Sequence, residues 1–312
     1  MNKTAFIFPG QGAQYIGMAS DFIANDTNLK KILDNFDQRH NVNLADIIAN
    51  GPEDLLKKTK FTQPAILFHS ISALKTFQEQ FDITPDFVAG HSLGEFSALV
   101  ANNVLSFEDA LHLVHKRGEF MIKANDGKPF GMTAIIGLSP DKVKEICEEA
   151  SQVDIVIAAN FNTPVQTVIS GSKAGVDKAS ELAKDAGAKR VIPLVVGGPF
   201  HSPLIEKAGT ALKEEMKNIT FSDAKIPVIS NVDALPHTQS QKIQNNLAKQ
   251  VTSSVLWVQS VQYMIEQGVD TFFEFGPKKV LAGMIKKIDR KVKVLSVDKI
   301  EDLQAIKLFL EQ

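Results

Sequence analysis

The chain has 312 residues, of which 44% are hydrophobic and 22% charged, proportions that fit a folded globular protein and exclude an intrinsically disordered one. Its net charge of -2 offers no overall basic field for nucleic acid or an anionic membrane, and its one cysteine, Cys147, excludes an intrachain disulfide and a multi-cysteine metal site. The sequence contains no signal-peptide core and no apolar run of membrane-spanning length, so we expect a cytoplasmic protein.

Short β-like runs bounded by glycine and proline alternate with helical stretches along the chain. This alternation predicts an α/β fold with a mostly parallel sheet. Strands are predicted at residues 4–8, 87–89, 191–196, 227–231 and 271–275. Helices that matter for function are predicted at residues 93–100 and 108–124.

A different pattern lies between two turn-rich stretches near residues 126–129 and 197–199. Strands predicted at 131–137, 153–159 and 166–170, with helices at 141–150 and 173–187, make a βαββα unit. We therefore predict a small subdomain at residues 128–197, inserted into a large α/β subdomain formed by residues 1–127 and 198–312.

The pentapeptide Gly90-His91-Ser92-Leu93-Gly94 fits the G-x-S-x-G pattern of a serine nucleophile. A predicted strand precedes it and a predicted helix follows, and a tight turn between them lifts a serine hydroxyl out of the sheet edge. The first N–H groups of that helix would face a developing oxyanion. The alternative is that Ser92 only caps the helix, but a cap requires neither glycine, so the pattern favours Ser92 as nucleophile.

A serine nucleophile needs a base, and His201 has the best setting among the seven histidines. It follows the predicted strand 191–196 and a glycine-proline turn. Open α/β sheets place their ligand sites at the carboxyl ends of strands, and His201 is predicted at such an end. The rival His91 is the immediate neighbour of Ser92, and its ring cannot easily reach the Ser92 oxygen. No aspartate is placed by its spacing to orient His201, so a carbonyl oxygen is the alternative partner of its Nδ1 proton.

The other histidines receive structural interpretations. His69 lies in an apolar helical stretch and is predicted in the core, while His40 and His237 are predicted in loops. On the helix at 108–124, spacings of four, three and four place four residues on one side: Glu108, His112, His115 and Glu119. All four would come from a single helix, so we predict a solvated face of mixed charge and no metal site.

Arg117 is the most informative charge in the sequence. Its neighbours three, four and seven positions away on the helix are all apolar: Ala110, Leu113, Val114, Phe120, Met121 and Ala124. A guanidinium on such a face must reach solvent, pair with a protein carboxylate, or face a cavity that receives an anion. If a ligand is the partner, the planar fork suits a carboxylate bound by two hydrogen bonds.

A glycine-rich loop, Phe8-Pro9-Gly10-Gln11-Gly12-Ala13-Gln14, follows the first strand. A dinucleotide-binding fingerprint would require a glycine at the position occupied by Tyr15, so the spacing excludes that function. Exposed backbone N–H groups beside a sheet edge can instead supply a second donor to an oxyanion hole, and Gln11 is the candidate.

In this order, the segments resemble the malonyl-CoA:acyl carrier protein transacylase family of fatty acid synthesis and the related acyltransferase domains of polyketide synthases. The likeness covers nearly the whole chain and is carried by these segments: Phe8 to Gln14, Thr62-Gln63-Pro64-Ala65, Gly90 to Ala98, Lys116-Arg117-Gly118, Asn160-Phe161-Asn162, Gly198-Pro199-Phe200-His201-Ser202, Lys249-Gln250-Val251 and Phe273-Glu274-Phe275-Gly276-Pro277. The resemblance implies an α/β-hydrolase-like large subdomain with a mostly parallel sheet, and a ferredoxin-like α+β insert.

The resemblance also implies a role for each candidate residue. Ser92 would be the nucleophile and His201 its base, with the main-chain carbonyl of Gln250 orienting the histidine. The backbone N–H groups of Gln11 and Leu93 would form the oxyanion hole. Substrate binding is assigned on the same resemblance to five residues: Arg117 for the malonyl carboxylate, Phe200 for selection of malonyl groups, and His91, Asn160 and Asn162.

The implied activity is transfer of a malonyl group from malonyl-CoA to the phosphopantetheine thiol of acyl carrier protein, by a ping-pong mechanism through a malonyl ester on Ser92. We expect a monomer with no cofactor of its own, because coenzyme A is part of the substrate and the phosphopantetheine belongs to the carrier. The chain length favours fatty acid synthesis. The alternatives are a trans-acting polyketide-synthase malonyl acyltransferase, an acyl-thioester hydrolase using the same serine and histidine, and a non-catalytic carrier-binding module.

Overall fold

Two β-sheets organise the chain, one mostly parallel and one antiparallel. They are described in a computed structural model that covers residues 3–311. Within those residues ten strands are present: β1 (Lys3–Phe8), β2 (Phe87–Gly90), β3 (Phe130–Ile136), β4 (Val156–Thr163), β5 (Gln166–Ser172), β6 (Arg190–Pro193), β7 (Val228–Ile229), β8 (Pro236–His237), β9 (Val269–Phe275) and β10 (Lys293–Val297).

Fourteen α-helices connect these strands within the same residues: α1 (Ser20–Asn25), α2 (Thr27–His40), α3 (Leu44–Asn50), α4 (Glu53–Leu56), α5 (Thr59–Gln78), α6 (Gly94–Ala101), α7 (Phe107–Lys123), α8 (Pro140–Ala150), α9 (Lys173–Asp185), α10 (Glu206–Met216), α11 (Ser240–Gln250), α12 (Trp257–Glu266), α13 (Val280–Ile288) and α14 (Asp302–Leu310). A short 3-10 helix, Pro203–Ile205, precedes α10. Among residues 3–311, no helix combines the length and the apolar character that crossing a membrane requires.

The larger sheet has the strand order β10-β9-β1-β2-β7-β8, and all neighbouring pairs are parallel except β7 and β8. Successive residues of a strand point to opposite faces. In β1, Phe6 and Phe8 enter one core cluster while Ala5 and Ile7 enter another on the opposite face. Both faces are therefore covered, which explains why the central strands are almost continuously apolar.

Helix α5 lies inside the larger core cluster, where it packs along α7. It is apolar on nearly all sides, as expected for a helix that is buried all round. Its residue His69 has no exposed surface, so the predicted core position is confirmed. The packing of α5 on α7 brings polar residues from both helices to one end of the parallel sheet, where the candidate site lies.

The smaller sheet has the order β4-β5-β3-β6 with antiparallel neighbours, and α8 and α9 pack against it. The connectivity from β3 to β6 is βαββαβ, which is the ferredoxin-like arrangement. The fold class is thus confirmed, with an α/β-hydrolase-like part carrying an inserted ferredoxin-like unit. The exact subdomain limits, residues 128 and 197, stay predictions, and residues 1, 2 and 312 of the large subdomain lie outside the described residues.

Several strand predictions need correction. The strand predicted at 191–196 ends earlier, at Pro193, and pairs with β3 in the antiparallel sheet. The strand predicted at 153–159 begins only at Val156. The run 227–231 contributes just two strand residues, and β8 and β10 were not predicted. Strands β6, β7 and β10 pair with β3, β2 and β9, which lie far from them in sequence, so local composition carries little information about these pairings. The pair β7 and β8 is close in sequence but only two residues long, which is too short to show an alternating pattern.

Glu274 ties the end of β9 to the start of α13. Its buried carboxylate accepts hydrogen bonds from the amides of Leu281 and Ala282, at 2.8 and 3.0 Å, and from the Ser296 hydroxyl at 3.1 Å. Burial raises the pKa of Glu274 to about 7. The side chain satisfies helix N–H groups that would otherwise be left without an acceptor in the core.

The Glu274 side chain caps the start of α13, and its substitution should destabilise the whole fold. We expect Glu274→Ala to lower the free energy of unfolding by about 2–4 kcal/mol, because buried N–H groups lose their acceptor. Urea denaturation followed by circular dichroism measures the loss. The control is Glu266→Ala at the exposed end of α12, where a change below about 0.5 kcal/mol is expected. Equal losses in the two variants would contradict the capping role.

Candidate active site

A sharp turn between β2 and α6 carries Ser92. The residue has a positive φ of 52°, which a non-glycine residue adopts only when the surrounding structure holds it there. A Cβ on Gly90 would lie 1.9 Å from the Gly94 carbonyl carbon, and one on Gly94 would lie 2.0 Å from the Phe8 oxygen. Both glycines of the motif are therefore required by close backbone approach, and a simple helix cap would not require them.

Asn231 braces this turn from the end of β7. Its Oδ1 accepts a hydrogen bond from the Ser92 amide at 2.6 Å, and its Nδ2 donates to the Gly90 oxygen at 2.7 Å. The side chain thus joins both limbs of the turn. In the sequence, Asn231 is recognisable only as the end of a predicted strand, and no local signal indicates the role of its side chain.

His201 faces the serine. Its Nε2 lies 2.8 Å from Ser92 Oγ, and its Nδ1 lies 2.8 Å from the main-chain oxygen of Gln250. Burial, followed by the positive charge of Arg117, lowers the pKa of His201 to about 3. The ring is therefore neutral near pH 7, with a proton on Nδ1 donated to the Gln250 carbonyl and an unprotonated Nε2 accepting from the serine hydroxyl.

The reason given for His201 from the sequence was wrong, although the residue is well placed. The preceding strand β6 belongs to the antiparallel sheet, so His201 does not follow the end of a parallel strand. The chain instead returns from the small sheet through a loop and positions His201 with a positive φ of 61°. Ser92 and His201 thus both have left-handed backbone conformations, and these bring the serine and histidine side chains together.

Arg117 reaches the same serine from α7. Its NH2 group donates to Ser92 Oγ at 3.0 Å and to Gln250 Oε1 at 2.9 Å, and its NH1 group donates to Gln63 Oε1 at 2.9 Å. These partners are neutral oxygens, and no carboxylate of residues 3–311 forms a direct ion pair with it, which argues against a structural salt bridge. The residue is only 1% exposed, and burial lowers its pKa to about 10, so it stays positively charged at pH 7.

Two backbone N–H groups remain available beside the serine. Leu93 follows Ser92 at the start of α6, and Gln11 lies in the loop after β1. Both residues line the same cavity as Ser92, and their amides have no hydrogen-bond acceptor within the part of the chain that the structure describes. Unpaired donors at this place can receive the oxygen of a tetrahedral intermediate.

A cavity of about 190 Å³ lies beside Ser92, His201 and Arg117, with walls from strands of the smaller sheet and from helices and loops around the end of the larger one. Every remaining candidate residue lines it: His91, Asn160, Asn162 and Phe200. The His91 ring turns away from the serine, and its Nε2 lies 2.8 Å from Asn162 Oδ1, a contact that links the Ser92 turn to β4. Burial lowers the pKa of His91, so it too is neutral near pH 7.

A larger groove of about 1230 Å³ leads away from this cavity and shares Gln11, Leu194 and Val196 with it. The groove is lined by four lysines, two acidic residues and a set of apolar residues: Lys57, Lys58, Lys60 and Lys123, then Asp54 and Glu119, then Ile122, Leu194, Val195 and Val196. Such a groove suits an extended ligand that has an uncharged arm and an anionic end.

The predicted solvated face on α7 is wrong for its two histidines. His112 and His115 are 8% and 2% exposed. His112 Nε2 lies 2.7 Å from Glu215 Oε1 on α10, and the ring of His40 stacks against that of His112. His40 is the last residue of α2 and not a loop residue, and His237 lies in the two-residue strand β8. A helix packed on several sides buries residues that spacing alone assigns to solvent.

Comparisons with known proteins agree with this arrangement. The family model described as "Acyl transferase domain" matches residues 5–304. A malonyl CoA-acyl carrier protein transacylase of Staphylococcus aureus (strain MSSA476) is 44% identical over 97% of this chain and 98% of its own, and the Bacillus subtilis (strain 168) protein of the same name is 44% identical over 97% and 96%.

Solved structures give the same result. The transacylase of that name from Coxiella burnetii superimposes with a TM-score of 0.93 at 38% identity, covering 98% of this chain and 97% of its own. A malonyl-transacylase solved in complex with a type II polyketide-synthase acyl carrier protein has a TM-score of 0.93 at 36% identity, over 97% and 98% of the two chains. The chain therefore belongs to the malonyl CoA-acyl carrier protein transacylase family of acyl transferases.

Proposed function

We propose that this chain transfers a malonyl group from malonyl-CoA to the phosphopantetheine thiol of an acyl carrier protein, through an ester on Ser92. One observation carries the proposal: Ser92 Oγ contacts the neutral base His201 at 2.8 Å and the buried cation Arg117 at 3.0 Å. A hydroxyl between a base and a guanidinium is suited to an acyl group that ends in a carboxylate. The names of the relatives support the same substrate and partner.

In the loading step, Ser92 Oγ attacks the thioester carbonyl while His201 Nε2 takes the hydroxyl proton. The carbonyl oxygen becomes an oxyanion and is stabilised by the amides of Leu93 and Gln11. When the carbon–sulfur bond breaks, the imidazolium returns the proton to the departing sulfur, and coenzyme A leaves as a thiol. The Gln250 carbonyl accepts from Nδ1 throughout and takes the place of the acid in a catalytic triad.

The second half of the reaction reverses the first. The carrier thiol enters where coenzyme A left, gives its proton to His201 and attacks the ester carbonyl of malonyl-Ser92. Collapse of the tetrahedral intermediate releases the Ser92 hydroxyl and leaves the malonyl group on the carrier. The two substrates use one groove in turn, which gives ping-pong kinetics.

Arg117 selects the acyl group. Five guanidinium N–H bonds are available, and the structure uses three of them, while Nε has no acceptor within residues 3–311. A malonyl carboxylate can complete this set, whereas an acetyl group leaves buried donors unpaired and is therefore rejected. Phe200, 7% exposed beside His201, limits the space left for larger acyl groups.

The low pKa of His201 leads to a prediction about pH. A base acts in its unprotonated form, and His201, with a pKa of about 3, stays unprotonated at pH 5. A histidine with the ordinary pKa near 6.5 would be mostly protonated at that pH. We therefore expect the single-turnover loading rate at pH 5 to stay within about threefold of the rate at pH 7. A fall of more than tenfold with an apparent pKa near 6.5 would contradict the assignment.

Hydrolysis is the competing outcome for the same serine and histidine. Incubation with radiolabelled malonyl-CoA, followed by holo carrier protein, separates the possibilities. A transferase holds the label and then gives it to the carrier, a hydrolase releases labelled malonate, and a carrier-binding module does neither. Recovery of most of the label as malonate would overturn the proposal. We place the reaction in fatty acid synthesis, and competition between fatty acid and polyketide carriers tests that choice.

The cytoplasmic location, the monomeric state and the lack of a cofactor of its own stay predictions. Cell fractionation tests the cytoplasmic location. Light scattering of the purified protein tests the monomeric state, with an expected mass near that of one 34.1 kDa chain. Unchanged loading after dialysis of the protein against chelator is the result expected if it has no metal cofactor.

A further inference from the structure

A second buried charge lies behind the site, and the proposed reaction does not use it. Glu95 on α6 is 1% exposed. Its Oε2 accepts hydrogen bonds from Gln250 Nε2 at 2.8 Å and from the Asn231 amide at 3.0 Å. A carboxylate in such surroundings is costly in its charged form unless a cation is near.

The cation Arg117 is connected to Glu95 through one side chain, that of Gln250. Gln250 donates from Nε2 to Glu95 and accepts at Oε1 from Arg117 NH2, at 2.9 Å. Two hydrogen bonds and one amide therefore connect the opposite charges. The direct partners of Arg117 are neutral, and the charge of Glu95 acts on the guanidinium from a distance, where it raises the pKa of Arg117 against the effect of burial.

Among residues 3–311, few charged or titratable groups face Glu95. Arg117 approaches from α7, His201 approaches through Ser92, and Asp233 approaches from the turn between β7 and β8. Asp233 is itself paired with His237 at 2.9 Å and lies 3.9 Å from Lys242. Burial, opposed by the hydrogen bonds from Asn231 and Gln250, raises the pKa of Glu95 to about 7.

We propose that Glu95 balances the charge of Arg117 in the empty enzyme and takes up a proton when the acyl carboxylate binds the guanidinium. The inference rests on the proposed function, because it requires a carboxylate on Arg117. Two anions beside one buried cation repel each other, and the carboxylate held by the guanidinium itself keeps its charge. Glu95, one residue further away, is the group that becomes neutral.

The proton balance of loading makes this measurable. Ser92 loses its hydroxyl proton, and the departing sulfur gains it. The malonyl carboxylate is ionised before and after the transfer. An ordinary thiol stays protonated at pH 7, so the chemistry itself neither takes up nor releases a proton. Any net uptake from solvent therefore reports a protein group.

The experiment mixes the protein with excess malonyl-CoA in weak buffer and follows a pH indicator, with intact mass giving the amount of malonyl-enzyme formed. At pH 7 we expect uptake of about half a proton per malonyl group, since a carboxyl group with a pKa of about 7 starts half protonated. Glu95→Gln should load but show no uptake. Glu108→Gln, an exposed carboxylate on α7, should behave as wild type.

The outcomes separate the two claims. No malonyl-enzyme in the wild-type protein overturns the proposed function and this inference with it. Malonyl-enzyme without proton uptake overturns this inference alone. Uptake that persists in Glu95→Gln assigns the proton to another group, such as His201, and also overturns it. If Glu95→Gln fails to fold, infrared difference spectra of wild-type protein decide, because loading must produce the band of a newly protonated buried carboxyl group.

Discussion

Replacing Ser92 by alanine should abolish the malonyl-enzyme and lower turnover by about 10⁴-fold or more. The Ser92 hydroxyl is the group held between His201 and Arg117, at 2.8 and 3.0 Å, so the substitution removes the atom that forms the ester. Intact-protein mass after incubation with malonyl-CoA measures the adduct directly. Malonyl-CoA should still bind, because Arg117 and the groove remain.

Ser97→Ala is a matched control for this experiment. Ser97 lies on the same helix, α6, is fully buried, and its hydroxyl has no partner among residues 3–311. This variant should load normally. A stable malonyl adduct on Ser92→Ala would show that the nucleophile lies elsewhere, and loss of the adduct from both variants would point to a folding defect.

The second large effect is expected at Arg117. Arg117→Ala should lower kcat/KM for malonyl-CoA by about 10²- to 10³-fold, because two charge-assisted hydrogen bonds to the carboxylate are lost. Acetyl-CoA, which has no carboxylate, should change by no more than about threefold. The preference for malonyl over acetyl groups should therefore nearly disappear, as measured by steady-state transfer with each thioester.

Two variants control for charge and for general effects of substitution. Arg117→Lys keeps the charge but loses the planar fork, so malonyl transfer should recover only in part. Lys116→Ala changes the neighbouring residue, which pairs with Glu119 on the protein surface, and should leave selectivity unchanged. Retained preference for malonyl groups in a folded Arg117→Ala protein would return Arg117 to a structural role. Thermal melting checks the fold, since Glu95 loses its counter-charge in this variant.

The sequence predicts those parts of the site and fold that depend on short-range patterns of residues. The elbow around Ser92 follows from two glycines and the change from strand to helix at that point. Arg117 follows from helical spacing, because a charge among apolar neighbours needs a partner. The βαββα insert follows from the order of its strands and helices, while its ferredoxin-like character was implied by the family resemblance, and the completing strand β6 was assigned to the wrong sheet.

Strand pairing and the supporting network could not be predicted in this way. The short strand β10 lies in a lysine-rich stretch and is defined by its pairing with β9. Asn231, Glu95 and Gln63 reach the site only after β7, α6 and α5 have packed around it. Their residue types are common at surfaces, so nothing local distinguishes them. The buried histidines of α7 were missed for the same reason.

Arg117 stays buried and charged in the site without a direct ion pair. Gln63 and Gln250 hold the guanidinium with neutral oxygens, and Glu95 supplies the negative charge at a distance. A direct salt bridge would have to be broken before substrate could bind, whereas neutral acceptors leave the charge available. The same positive charge contributes to keeping His201 neutral, which suits its role as a base.

The most direct test is the intact mass of the protein after malonyl-CoA and, separately, acetyl-CoA, followed by addition of holo carrier protein and peptide mapping of the adduct. We predict a malonyl adduct on Ser92, little or no acetyl adduct, and complete transfer of the malonyl group to the carrier. An adduct on another residue, equal loading by acetyl-CoA, or decay to free malonate without transfer would contradict the account.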